Sequence, residues 1–303
     1  MESAGSLQPI PAGLLAILHS NNMLTLLTLS LIAQSVAQPV RTVNDPGVIT
    51  TRQAITPAGV PSVFDGRVYG VAWGREGDLW VLHATHVYRL DWRNNQIKQR
   101  IAFAGSPGMQ SIAADLETGV VYVGHSPAKA QVSVVVDGAI KPIASSLGSY
   151  LPGAMGLAGS RLAVVPLVWE NKLAVIDLEK GTVLQQVATG IAPFAAVVDQ
   201  AGTVAYVSNL GGRPPKNGEA FASPMQKPSE KVTVDARGIA STGTLTRVDL
   251  VTGEATHTIA VDLHPTAMVW DQARHRLFVA NGNSDTISVV DTQSSVVTRT
   301  IAL

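Results

Sequence analysis

Along the second two-thirds of the chain, short runs of apolar and β-branched residues alternate with clusters of Gly, Asn, Asp and Ser, the pattern of β-strands joined by tight turns. The last stretch shows it most clearly. Leu277 to Ala280, Thr286 to Val290 and Val296 to Ile301 read as strands separated by Asn-Gly-Asn-Ser and Asp-Thr-Gln-Ser turns, and a fourth strand lies upstream at Ala267 to Trp270. Four strands in about forty residues form one self-contained unit, and units of that size that recur are the mark of a repeat architecture.

The unit does recur. Apolar triplets that open its second strand stand at Leu79-Trp-Val81, Val121-Tyr-Val123, Leu162-Ala-Val164, Ala205-Tyr-Val207 and Leu277-Phe-Val279. Their starts are 42, 41, 43 and 72 residues apart, so the last interval is one period plus an insertion. Two turn devices keep phase with the triplets. Asp91, Asp137, Asp177, Asp249 and Asp291 stand where a third strand turns into a fourth, and Pro107, Pro152, Pro193 and Pro265 lead into first strands. Asp accepts hydrogen bonds from backbone N–H groups a few residues on, and Pro removes a donor at an edge, so both read as structural. The predicted fold is all-β, a β-propeller of four-stranded antiparallel blades over residues 67–303 with five repeats visible.

Ahead of the repeats, Leu24 to Ala33 is an apolar run of signal-peptide length, and Ser35-Val-Ala37 before Gln38 offers small residues for cleavage, so residues 1–37 read as an export signal. A stable membrane span needs about 20 apolar residues, and His19-Ser-Asn-Asn22 interrupts this one, so none is expected. Residues 38–66 read as a linker with one strand, Val48 to Ile55, of the kind that completes the last blade of a ring. Within the fourth unit, residues 210–242 form a Pro- and Gly-rich insertion, expected as a flap without regular structure.

Composition narrows the function classes. Lys plus Arg and Asp plus Glu number 22 each, which gives no footprint for nucleic acid. There is no Cys, so disulfides, thiolate metal sites and a Cys nucleophile are excluded. Neither a G-x-S-x-G elbow, nor a Walker loop, nor an H-E-x-x-H motif is present.

The repeats, above all Asn283-Ser-Asp-Thr-Ile-Ser-Val-Val-Asp291, resemble bacterial YVTN-type β-propeller repeats of exported and surface proteins. The insertion, from Ser208-Asn-Leu-Gly-Gly-Arg213-Pro-Pro215 to Asp235-Ala-Arg-Gly-Ile-Ala-Ser-Thr-Gly243, resembles more closely exported proteins in which such a propeller precedes a phosphoesterase domain. Ile55-Thr-Pro-Ala-Gly59 is similar too, and the resemblance covers about residues 48–303. It implies a propeller without catalytic residues of its own. Because such rings usually have seven blades, it also implies the front part of a seven-bladed ring, with a shorter ring as the alternative.

Propeller sites form where loops converge on the central channel. Four positions after the start of each triplet stand His83, His125, Pro166, Asn209 and Asn281, and His264 leads into the fifth unit. With Arg213 on the insertion, His83, His125, Asn209, His264 and Asn281 are the candidate ligand-binding residues of a polar rim. The histidines lack a third ligand or a carboxylate at the same level, so no metal, cofactor or catalytic residue is expected. The reading is an exported binding or scaffold module that meets an unknown ligand or protein partner on its flap-bearing loop face. The alternative is a lactonase-type hydrolase acting on a sugar lactone.

Overall fold

The computed structural model describes residues 38–41, 60–224 and 227–303. The export signal at 1–37 and the closing strand expected at Val48 to Ile55 lie outside the described residues. Contacts divide the chain into Met1–Gln38 and Pro39–Leu303, and the second unit holds every strand described below.

It is all-β, with five four-stranded antiparallel sheets, each a simple meander along the chain. The first holds β1 (Val68–Trp73), β2 (Leu79–His83), β3 (His86–Asp91) and β4 (Gln96–Ala102). The second holds β5 (Ser106–Ala114), β6 (Val121–Ser126), β7 (Gln131–Val136) and β8 (Ala139–Ala144). β9 (Gly156–Ala158), β10 (Leu162–Leu167), β11 (Lys172–Asp177) and β12 (Thr182–Ala188) form the third. The fourth is made of β13 (Ile191–Val198), β14 (Val204–Gly212), β17 (Gly243–Asp249) and β18 (Glu254–Val261), interrupted by the small hairpin β15 (Phe221–Ala222) and β16 (Val232–Thr233). The fifth holds β19 (Pro265–Asp271), β20 (Arg276–Asn281), β21 (Thr286–Asp291) and β22 (Val296–Ala302).

Side chains alternate across a strand, so each second strand feeds two cores. Trp80 and Leu82 on the back of the first sheet share a core with Val121 and Val123 on the front of the second. Ala130 and Val132 of the second meet Ala163 and Val165 of the third, Leu162 and Val164 meet Ala205 and Val207 of the fourth, and Tyr206 and Leu245 meet Leu277 and Val279 of the fifth. Every internal contact is thus back face on front face, in chain order.

This corrects the repeat alignment by one residue in the third sheet. Its front-facing residues are Ala163, Val165 and Leu167, so the equivalent triplet opens at Ala163 and the first three intervals all become 42. A slip of one residue exchanges the faces of a strand, which is why the error matters. The prolines confirm the corrected frame: Pro107 pairs with His125, Pro152 with Leu167, Pro193 with Asn209 and Pro265 with Asn281. Pro107, Pro193 and Pro265 lie on the first strand of their sheets, an edge strand, and Pro152 lies in an isolated bridge ahead of β9, so the missing N–H removes no ladder bond.

Four of the five turn aspartates act as expected. Asp91, Asp177, Asp249 and Asp291 accept backbone N–H groups two or three residues on. Asp137 does not: it takes a positive φ of 52° beside Gly138 at 71°, a two-residue Asp-Gly hairpin turn of the primed type. Each third and fourth strand pair also carries a register shift, the bulge that sharpens twist toward the outer edge.

The first strands of four sheets, with Ala154 and Met155 just ahead of β9, line one cavity of about 500 Å³, to which Gly70, Ile112, Met155, Ala196 and Met268 each contribute. Small residues recur there, Gly70, Ala154, Ala195 and Ala267 among them, as close approach of edge strands requires. Ala154 makes that approach direct, donating to Phe194 O at 2.8 Å and accepting from Ala196 N at 2.9 Å.

Candidate ligand-binding site

The residues expected to form a polar rim occupy equivalent places in the corrected frame, but they lie beneath the surface. His83, His125, Asn209 and Asn281 are 7%, 3%, 0% and 2% exposed, so none of them offers its side chain to solvent. Each reaches the third strand of its own sheet. His125 Nε2 lies 2.8 Å from Ser133 Oγ, Asn209 Nδ2 donates to Thr246 Oγ1 at 3.0 Å, and Asn281 Nδ2 donates to Ser288 Oγ at 2.9 Å. In the first sheet His83 meets Tyr88 edge-on, with ring centroids 5.6 Å apart, and in the third sheet Leu167 and Ala174 make the same pair from apolar groups.

These pairs fix strand register at the flap-side end of each sheet, because a side chain can meet its partner two positions along only when the ladder is correctly aligned. His125 is held at both nitrogens, with Nδ1 2.8 Å from Ala104 O. Burial pushes its pKa down, against a smaller opposing effect of that carbonyl, and the ring stays neutral near pH 7. His83 Nε2 lies 3.0 Å from Asp65 O, under the segment that precedes β1. His264 has a φ of 58° and its carbonyl accepts from Gly282 N at 3.0 Å, so it shapes the turn into β19 next to Asn281.

Arg213 is engaged as well. Its guanidinium forms a two-pronged pair with Glu219, at 2.7 Å to each carboxylate oxygen, and closes the first turn of the insertion. That bond, with a further one from Lys216 N, holds the Glu219 carboxyl well below its usual range, at about 2.

The insertion itself is more structured than expected. β14 runs through to Gly212, which pairs with Ile191, so the excursion starts at Arg213. β15 and β16 pair as Phe221 with Thr233 and Ala222 with Val232, and Lys231 Nζ sits 4.5 Å from the centre of the Phe221 ring. Lys227 then reaches the turn between β10 and β11, donating to Trp169 O at 2.6 Å and to Glu230 at 2.6 Å. Asn171 ties this junction to the fourth sheet: Nδ2 donates to Glu230 at 2.6 Å and Oδ1 accepts from Ala192 N at 3.0 Å.

Under this bridge lies a pocket of about 250 Å³. Val168, Trp169, Ile191, Pro224 and Val232 make its walls apolar, and Asn171, Lys227 and Glu230 place polar groups along one side. Apolar walls with a few polar groups that set orientation are the composition of a small-molecule site. Sequence reasoning missed Trp169, Asn171, Lys227 and Glu230. The only local signal was Lys227-Pro-Ser-Glu230, an opposite-charge pair three residues apart, because the contacts of Asn171 with Glu230 and of Lys227 with Trp169 join positions almost sixty residues distant.

Among the described residues no group of three or more His, Asp or Glu side chains is placed to hold a metal ion, and no helix is long and apolar enough to cross a membrane. No family model matches the chain, and no curated protein does. Among solved structures it is similar to Kuenenia stuttgartiensis hydrazine synthase, at 11% identity and a TM-score of 0.36, over 78% of this chain and 49% of that one. The chain thus spans about half the length of the solved chain it matches.

Proposed function

We propose that this chain is a β-propeller of the YVTN type, exported from the cell, that works by binding: its flap-covered pocket takes a small, largely apolar ligand or an apolar side chain of a protein partner. In this reading the five sheets are consecutive blades about a common channel, and the module is the non-catalytic propeller of a phosphoesterase-type protein. The observation that carries the binding role is the insertion. A thirty-residue excursion costs little closure entropy and need not be ordered, yet this one is fastened to the neighbouring sheet by Lys227, Glu230 and Asn171 and leaves a pocket at the junction.

Ring opening of a lactone needs convergent acid, base and cationic groups. Here Asp91, Asp177, Asp249 and Asp291 are engaged in turns, His83 and His125 are buried against their own sheets, and Arg213 is paired with Glu219. Binding is therefore the better supported of the two.

Thermal-shift measurements with a panel of small aromatic and branched aliphatic compounds test the pocket. A ligand at a hundred times its Kd adds about 2.7 kcal/mol to folding stability, so hits raise the Tm of the parent, and the gain disappears in Trp169→Ala. A flat response in the parent, or equal shifts in both proteins, would contradict a binding role there. N-terminal sequencing of the secreted chain tests export, with Gln38 expected as the first residue; an intact Met1 terminus on a cytoplasmic product would contradict it.

A further inference from the structure

The chain carries two Asn-Gly pairs, Asn217-Gly218 and Asn281-Gly282, and the fold treats them in opposite ways. Asn281 ends a core strand and is 2% exposed. Its Nδ2 donates to Thr286 Oγ1 at 3.1 Å and to Ser288 Oγ at 2.9 Å, and Gly282 N donates to His264 O at 3.0 Å. Asn217 and Gly218 are both exposed, in the first turn of the insertion. Among the described residues neither the Asn217 side chain nor the Gly218 N–H has a hydrogen-bond partner. Glu219 N donates to Lys216 O at 3.1 Å and Gly218 has a φ of 86°, so residues 216–219 form a turn that favours glycine at its third position.

We infer that Asn217 is a site of self-modification, at which the folded chain converts its own asparagine to aspartate and isoaspartate, while Asn281 is protected by the fold. Gly218 N attacks Asn217 Cγ: the N–Cγ bond forms, the Cγ–Nδ2 bond breaks, and the side-chain nitrogen leaves as ammonia with the proton that Gly218 gives up. Glycine has no Cβ to hinder this approach. Water then opens the resulting succinimide ring at either carbonyl, giving aspartate or the β-linked isoaspartate, with no change in oxidation state. At Asn281 the same attack requires Gly282 N to leave His264 and the strand end to open. Such opening costs almost nothing in an exposed turn and approaches the full folding stability in a core strand. The products change the base of the insertion. Each adds a carboxylate beside Glu219, and isoaspartate also adds one carbon to the backbone between Lys216 and Gly218. Both effects work against the Lys216–Glu219 turn bond and the Arg213–Glu219 pair, so the modified turn is held less firmly.

The test follows the purified full chain during incubation at mildly alkaline pH, by peptide mass mapping and by labelling with an isoaspartyl methyltransferase. The expected result is the mass gain of an amide exchanged for a carboxyl, with methyl acceptance, at Asn217 and not at Asn281. In urea both sites should be modified. Asn217→Gln should stay unlabelled in the native protein and keep the parent Tm, and hydrogen exchange at Glu219 N–H should be faster in the modified fraction than in this variant. A native Asn217 that stays intact while a peptide of residues 213–222 is modified overturns the inference. So does modification of Asn281 as fast as Asn217 in the native chain, or an Asn281 that remains intact in urea, since either would mean that the fold does not decide between the two. Unchanged exchange at Glu219 would overturn the loosening of the turn.

Discussion

Asn209 and Asn281 show how a polar side chain can be structural and wholly buried. Each spends its amide N–H groups on hydroxyls of the third strand and leaves Oδ1 without a partner. At Asn209 the amide also donates to Thr244 O, which can only accept, so its orientation is fixed. Replacing Asn281 by Ala should cost about 1 to 3 kcal/mol, because Ser288 loses its partner in a dry place. The third sheet supplies the contrasting case, in which Leu167 faces Ala174. Asn281→Leu combined with Ser288→Ala should therefore be less destabilising than Asn281→Ala alone, as chemical denaturation would show; the opposite order would mean that the amide does more than set register. The positions of these residues were legible from repeat spacing, but their depth was not. Spacing places a residue along a strand, while burial depends on the sheet stacked against it, and in the third sheet spacing points to Pro166 rather than Leu167 because apolar runs on both faces hide the alternation.

The turn aspartates give the chain a definite acid response. Hydrogen bonds from Asn94, from the backbone of Lys180, from the backbone of Thr252 and from the backbone of Ser294 hold Asp91, Asp177, Asp249 and Asp291, respectively, below the usual aspartate range. A depressed folded-state pKa stabilises above the unfolded value of about 3.9 and is lost as pH falls through the folded value. Stability should hold from neutral pH down to about 5 and then fall increasingly through 4. A triple variant, Asp177→Asn, Asp249→Asn and Asp291→Asn, keeps an acceptor in each turn but takes up no proton, so its stability should fall less steeply between pH 5 and 3. An unchanged slope would show that other groups dominate acid unfolding.

At the level of elements, the second strands and the insertion behave differently. Val207 lies in a strand buried on both faces, so Val207→Ala should cost about 1 to 3 kcal/mol. The insertion stands on the hairpin of β14 and β17, with Asn209 opposite Thr244, and β13 holds the other side of β14, with Ile191 opposite Gly212. Replacing residues 213–242 with Asn-Gly should leave a cooperative unfolding transition and abolish binding in the pocket, since Lys227 and Glu230 leave with it. Loss of the cooperative transition would mean that the flap belongs to the fold. Strands were legible because turn chemistry and β-branched runs are local signals. The docking of the flap was not, because Lys227 meets a carbonyl at Trp169, and no local pattern encodes a contact with a distant backbone atom.

For the whole molecule, the claim on which the rest depends is that the five sheets converge on a common channel, so that sheets far apart in sequence become neighbours across it. The repeat length leads to this reading, and the closing strand expected at Val48 to Ile55 lies outside the described residues. Convergence has a specific signature. A nitroxide carried by Gln110→Cys, an exposed position on the cavity wall, should broaden the methyl resonances of Val71, Met155, Ala196 and Met268 together, one from each of the other four repeats, while sparing Val251 in the turn after β17 and Val296 at the start of β22. Broadening confined to Val71 and Met155, the neighbours in sequence order, with Ala196 and Met268 untouched, would contradict it.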